Sequence, residues 1–214
     1  MNDKLLNILG IIAIIVVVVN VSILIMKADE VRAVLTGKAS QGEVNVTIGQ
    51  YTSLNFTIWQ VNWGTGSVNA GEDNATLFSN KTVLRGNWST SGHDIGLVIE
   101  NTGNVNLSVG FQATETASSL IGGTNPSYNW MFVDNGGCDA LYGGPTDVGS
   151  CAELHSGVSL NTWYDVNSSF GFCDKFQPND AADEMTICFM LSIPSDSLTG
   201  ARGDQITAVI SANP

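Results

Sequence analysis

Basic residues are scarce in this chain. Its 214 residues include eight Lys and Arg against twenty Asp and Glu. The shortage is local: residues 39–214 hold four basic and seventeen acidic groups, a net −13, whereas residues 1–38 hold four basic and three acidic. A body this acidic excludes nucleic acid as a partner, because phosphate recognition needs Lys and Arg. It is also repelled by anionic lipid, and its acidity reads as solubility or adaptation to salt. Histidine is scarcer still, with His93 and His155 sixty-two positions apart, and each reads as a surface or turn residue. There is no His-x-x-x-His pair for zinc on a helix, no G-x-S-x-G elbow for a nucleophile and no glycine-rich phosphate loop before a helix. An enzyme is not expected, and no cofactor is implied. The lack of a strict internal repeat argues against a propeller or solenoid.

Long apolar runs are also absent, with one exception. Leu5 to Met26 contains no charge, and Lys4 and Lys27 bracket it. As a helix it spans roughly 33 Å, about the thickness of a bilayer's hydrocarbon core. Cleavage as a secretory signal, for instance near Val31-Arg32-Ala33, fits poorly because such signals have apolar regions of about 7–15 residues behind a basic start. A membrane anchor fits, as does a helix that packs with copies of itself in a polymer core. Past Met26, Val31, Val34 and Leu35 share one helical face, and Gly37 and Lys38 suit a helix end. The pattern predicts one helix over residues 5–36, with Gly10 and Ala13 allowing close approach and Val17 at its middle. The predicted domains are a hydrophobic helix, 1–38, and an extracellular β-domain, 39–214.

After Gly42 the hydrophobic period becomes two. Val44, Val46 and Ile48 alternate with polar residues, as do Leu54, Phe56 and Ile58, which predicts half-buried antiparallel strands. Residues 62–92 read as loop-rich with one or two short strands. Ile95–Glu100 and Val105–Phe111, joined by Asn101-Thr-Gly-Asn104, read as a hairpin. Residues 112–127 read as a Ser/Thr/Gly-rich loop. Tyr128–Val133, Trp163–Phe172, Thr186–Ile193 and Ile206–Ala212 read as further strands. The fold class is mainly β, a long apolar helix followed by an antiparallel β-sandwich, immunoglobulin-like or jelly-roll-like, with no second helix.

The body holds seven Asn-X-Ser/Thr sequons, at Asn45, Asn55, Asn74, Asn80, Asn87, Asn106 and Asn167. They mark candidate N-glycosylation sites and a surface setting, with the amides expected at the surface. An eighth match, Asn20, falls in the apolar run and is discounted. Four cysteines, Cys138, Cys151, Cys173 and Cys188, suggest two disulfides in an extracellular chain. Their gaps are too wide for a zinc site, and sequential pairing, Cys138–Cys151 and Cys173–Cys188, is expected. The acidic loop with Asp174, Asp180, Asp183 and Glu184, aided by Asn179, is a weak calcium candidate that lacks the EF-hand spacing. A solvated loop explains it as well, so no metal site is assigned. Arg202-Gly203-Asp204 spells an adhesion tripeptide and reads as a turn.

The stretch GIIAIIVVVVNVSILIMKADEVRAVLTGKAS, residues 10–40, followed by a Thr/Asn/Gly-rich β-body with many sequons, resembles archaeal type IV pilins and archaellins. The segment LVIENTGNVNLSVGF is similar to segments of archaeal surface β-sandwich proteins. The resemblance implies a homopolymeric cell-surface filament, with helices packed in its core and glycosylated β-domains outside. The alternative is a membrane-anchored coat or adhesion protein that does not polymerise.

Overall fold

The computed structural model describes residues 12, 14–22, 46–89, 91–92, 96–134, 136–138 and 146–213. The chain divides into two units, Met1–Ile48 and Gly49–Pro214. In the first, residues 14–22 are helical and exposed. Asn20 Nδ2 donates to Val16 O at 2.7 Å and Ser22 Oγ to Val18 O at 2.9 Å, so both polar side chains are satisfied within the helix itself. Ile12 is helical and exposed as well, and the rest of the helix expected over residues 5–36 lies outside the described residues, with Gly10, Ala13, Val31, Val34 and Leu35. Among the described residues no helix is long and apolar enough to cross a membrane. The strand expected at Val44–Ile48 is not found in its described part: residues 46–50 are unpaired coil.

The second unit is built from thirteen strands among the described residues. In chain order they are β1 (Asn55–Ile58), β2 (Val61–Asn62), β3 (Asn74–Phe78), β4 (Val83–Leu84), β5 (Ser91–Gly92), β6 (Leu97–Glu100) and β7 (Leu107–Ala113). There follow β8 (Ser127–Val133), β9 (Cys151–Leu154), β10 (Tyr164–Asp165), β11 (Phe170–Phe176), β12 (Glu184–Pro194) and β13 (Ile206–Ala212). Seven form one antiparallel sheet, in which β12 is the spine. One side of β12 pairs with β8 over Thr186–Ser192, and the other pairs with β6 over Glu184–Ile187 and β3 over Met190–Pro194. The second sheet runs β13-β7-β11-β9, and β2 and β5 form a separate ribbon.

The spine is buried on both faces, from Met185 through Phe189 without a break, which is why its sequence is near-continuously apolar. One face meets the core. The segment 136–138 lies over the other, where Thr186 Oγ1 donates to Gly136 O and Cys188 bonds Cys138. In β7 the alternation is clean. Leu107, Val109, Phe111 and Ala113 are buried, whereas Ser108, Gly110 and Gln112 face outward. The inward rows of the two sheets meet through rings. Phe132 of β8 stacks on Phe172 of β11 at 4.1 Å between centroids and on Phe111 of β7 at 5.5 Å. Such pairs add about 0.5–1.5 kcal/mol each beyond the area they bury.

Three expectations are corrected here. The segments around Asn101–Asn104 do not form a hairpin. β6 pairs with β1 and β12, β7 pairs with β11 and β13, and the connection crosses from one sheet to the other. Asn101 makes that crossing possible. Its backbone N donates to Asp183 O, its Nδ2 to Val105 O and Phe176 O, and its Oδ1 accepts from Gly103 N. The strand expected over Trp163–Phe172 splits likewise, into β10 of the first sheet and β11 of the second. The stretch 112–127 includes a helical turn, Ala117–Leu120, closed by a capping box between Thr116 and Ser119, the reciprocal arrangement that satisfies two otherwise free backbone donors.

Candidate functional site

The most site-like surface is a groove on the outer face of the second sheet. It arises from missing side chains. Gly110 of β7 and Gly171 of β11 are register partners. At each the outward row has a gap, leaving an open cavity of about 240 Å³ floored by backbone. His155, just past β9, lies across Gly171, where an added Cβ would come within 2.8 Å of its ring. The His155 backbone is held by its N donating to Phe172 O and its O accepting from Val158 N. Its Nδ1 sits 2.8 Å from Asp174 Oδ1, both side chains being partly exposed. Asp174 is anchored in turn, its backbone O accepting from Asn213 Nδ2. Ser108, Gln112, Ser169 and Ser211 add hydroxyl and amide groups to the walls, Val209 adds one aliphatic side chain, and no Lys or Arg lines the groove.

This placement separates the residues grouped as a calcium candidate. Asp174 is part of β11, not of a loop, and pairs with His155. Asp183 and Glu184 lie at the start of β12 beside Asp147 and Glu100. Asp147 Oδ2 accepts from the backbone N of Asp183 and Glu184, and Glu184 faces Glu100 across the β6–β12 ladder. Burial, then the hydrogen bond and charge of Asp147, then Glu100 and Asp180, push the Asp183 carboxyl up to about 6. Glu184 is raised by burial and by Asp147 and Glu100, with a hydrogen bond from Thr57 opposing. Among the described residues no group of three or more His, Cys, Asp or Glu is placed to hold a metal ion. His93 lies outside the described residues.

The disulfides form with a different pairing from the sequential one. They are Cys138–Cys188 and Cys151–Cys173, and closed disulfides are the usual cysteine usage of oxidising compartments. Cys151 and Cys173 sit on neighbouring antiparallel strands, β9 and β11, and Cys138 closes over the spine at Cys188. Strand adjacency, not nearness in sequence, decides which thiols meet. Of the sequon asparagines within the described residues, Asn55, Asn87 and Asn167 are exposed and Asn74, Asn80 and Asn106 are half-buried; the amide oxygen of Asn74 is itself buried, against the expected surface placement, and Asn45 lies outside the described residues. The aspartate of Arg202-Gly203-Asp204 is engaged. Asp204 Oδ1 accepts from Thr114 N, Thr114 Oγ1 and Glu115 N. Burial and the nearby Asp204 carboxylate hold the Tyr128 hydroxyl well above its ordinary value.

The groove was not legible in the sequence. His155 and Asp174 are nineteen positions apart with no motif between them, and a gap in an outward row leaves no sequence mark until the neighbouring strand is known. The one usable signal was FGFCDKF, in which Phe170, Phe172 and Phe176 announce that β11 continues through Asp174. Comparison of the chain with protein-family models, curated proteins and solved structures finds no match.

Proposed function

We propose that the protein is the structural subunit of an extracellular filament of the archaeal pilin or archaellin kind, polymerising through its N-terminal helix with glycosylated β-bodies outside. One observation carries the reading. Residues 14–19, all Ile or Val, are each at least half exposed within the single chain, and the two polar side chains that follow are satisfied within the helix. Leaving the whole apolar run in water costs on the order of tens of kcal/mol at about 25 cal/mol per Å². The run therefore has a partner, and the body has a core of its own. Copies of the same segment serve that role, and a membrane serves it before or without assembly. The disulfides, the acidity and the exposed sequon residues Asn55, Asn87 and Asn167 support an exterior setting for the body.

The test is a charge in the middle of the run. In the full chain, Val17→Lys is expected to abolish filaments seen by electron microscopy while both disulfides and the β-body signal in circular dichroism persist. Filaments formed by the variant, or a wild type that is monomeric in membranes, would instead support the anchored coat or adhesion protein.

A further inference from the structure

We propose that the groove on the outer face of the second sheet seats a sugar ring of the glycan carried by Asn167. The inference rests on the reading of the sequons as glycosylated and adds where one glycan lies. The walls select the ligand class. Ser108, Gln112, Ser169 and Ser211 offer neutral donors and acceptors, and His155, with Nδ1 held by Asp174, leaves Nε2 to exchange a hydrogen bond with a hydroxyl. With no Lys or Arg in the lining, an anion has no counter-charge. The single carboxylate is already paired, so a cation has no ligand set. A neutral polyol uses every group present, and Val209 meets the carbon face of a ring. The size of about 240 Å³ lies below the roughly 300–1,000 Å³ of sites that enclose larger ligands, which suits one ring.

The chain itself indicates where the ring comes from. Two wall residues are sequon hydroxyls, Ser108 of Asn106-Leu107-Ser108 and Ser169 of Asn167-Ser168-Ser169. The two asparagines flank the groove, because β7 and β11 run antiparallel with Leu107 opposite Phe176 and Phe111 opposite Phe170. Asn167 is favoured over Asn106. It is exposed where Asn106 is half-buried, its Oδ1 accepts from Ser169 N at 3.0 Å and its Nδ2, the atom that would bear the glycan, donates to Asp165 O at 3.5 Å. A glycan on Asn167 starts four positions before Gly171, against which the His155 ring lies.

The experiment is hydroxyl-radical footprinting of the full-length glycosylated protein, read at His155 and Val209 by mass spectrometry and paired with glycopeptide mapping of Asn167. Val209 is 47% exposed in the bare chain, so its labelling reports cover directly. Both positions are expected to be labelled several-fold less in the wild type than in Asn167→Gln, with the protection kept in Asn55→Gln. Ser169→Ala, which removes the sequon but keeps the backbone N–H that Asn167 accepts from, is expected to behave as Asn167→Gln and guards against a folding effect of the first variant. Equal labelling with a glycan mapped on Asn167 overturns the proposal and leaves the glycosylated reading standing. Absence of any glycan at Asn167 overturns the proposal, and absence at every sequon overturns both. Protection lost in Asn106→Gln instead, or lost on disassembly with glycans intact, assigns the groove to another glycan and overturns it too.

Discussion

Asn101 places a polar side chain at a position only 1% exposed, where the chain leaves one sheet for the other. Its two Nδ2 bonds go to carbonyls of the connection to β7 and of the end of β11, Val105 O and Phe176 O. Asn101→Ala leaves Phe176 O buried and Val105 O half-buried without their donor, at about 1–3 kcal/mol for a buried acceptor and less for the other, so a loss of about 3 kcal/mol is expected in urea unfolding. A loss below about 1 kcal/mol would show that water replaces the amide. At the same scale, the Asp183 carboxyl titrates at about 6 when folded, against an ordinary 3.8. The folded body binds that proton more tightly than the unfolded chain. Its stabilising contribution is full below 3.8 and is lost as pH rises through about 6. Glu184 shifts in the same direction. Asp196, lowered chiefly by the Thr124 backbone N–H, acts oppositely. Its contribution is present above the ordinary value and is lost as pH falls through the depressed one. Melting temperature is therefore expected to rise on acidification from pH 7 toward 5, and Asp183→Asn to flatten that rise. An unchanged slope in the variant would remove Asp183 as its source. None of this was readable beforehand, because Asp147 meets Asp183 only through a loop 36 positions away.

Most individual strands were legible, because alternation in β7 and β13 and the apolar run of β12 are direct imprints of one-sided and two-sided burial. Partnership was not. LVIENTGNVNLSVGF carries every local mark of a hairpin, yet nothing local distinguishes a turn that returns to the same sheet from one that changes sheets. The buried Val98 between Leu97 and Ile99 was the available sign, since it marks β6 as covered on both faces and hence interior. The same gap in information misplaced the disulfides. Peptide mapping without reduction is expected to recover Cys138–Cys188 and Cys151–Cys173. With sequence separations of 50 and 22, loop-closure entropy assigns them about 4 and about 3 kcal/mol. Replacing Cys138 and Cys188 together by Ala is thus expected to cost more than replacing Cys151 and Cys173, as read from chemical unfolding. The reverse order would mean that loop length is not the governing quantity here.

The whole molecule pairs an apolar run near one end with a body of net charge −13. In the proposed filament these bodies are neighbours, and their repulsion opposes what the helices gain. Screening lengths fall from about 30 Å at 0.01 M salt to about 8 Å at 0.15 M. The sedimentable fraction is expected to rise across that range, and a fraction that falls instead would argue against charged bodies set side by side.

The position of β12 in the chain has a further consequence, for the order of events in time. Leu77 waits for Leu191, Val98 for Thr186 and Trp130 for Phe189, so the larger sheet cannot close until β12, Glu184–Pro194, has left the ribosome. Contacts of such long sequence separation make folding slow. Through that interval Cys138 also lacks its partner, because Cys188 lies on the same strand. The spine strand is thus also a timer, which keeps the larger sheet open until β12 has been made.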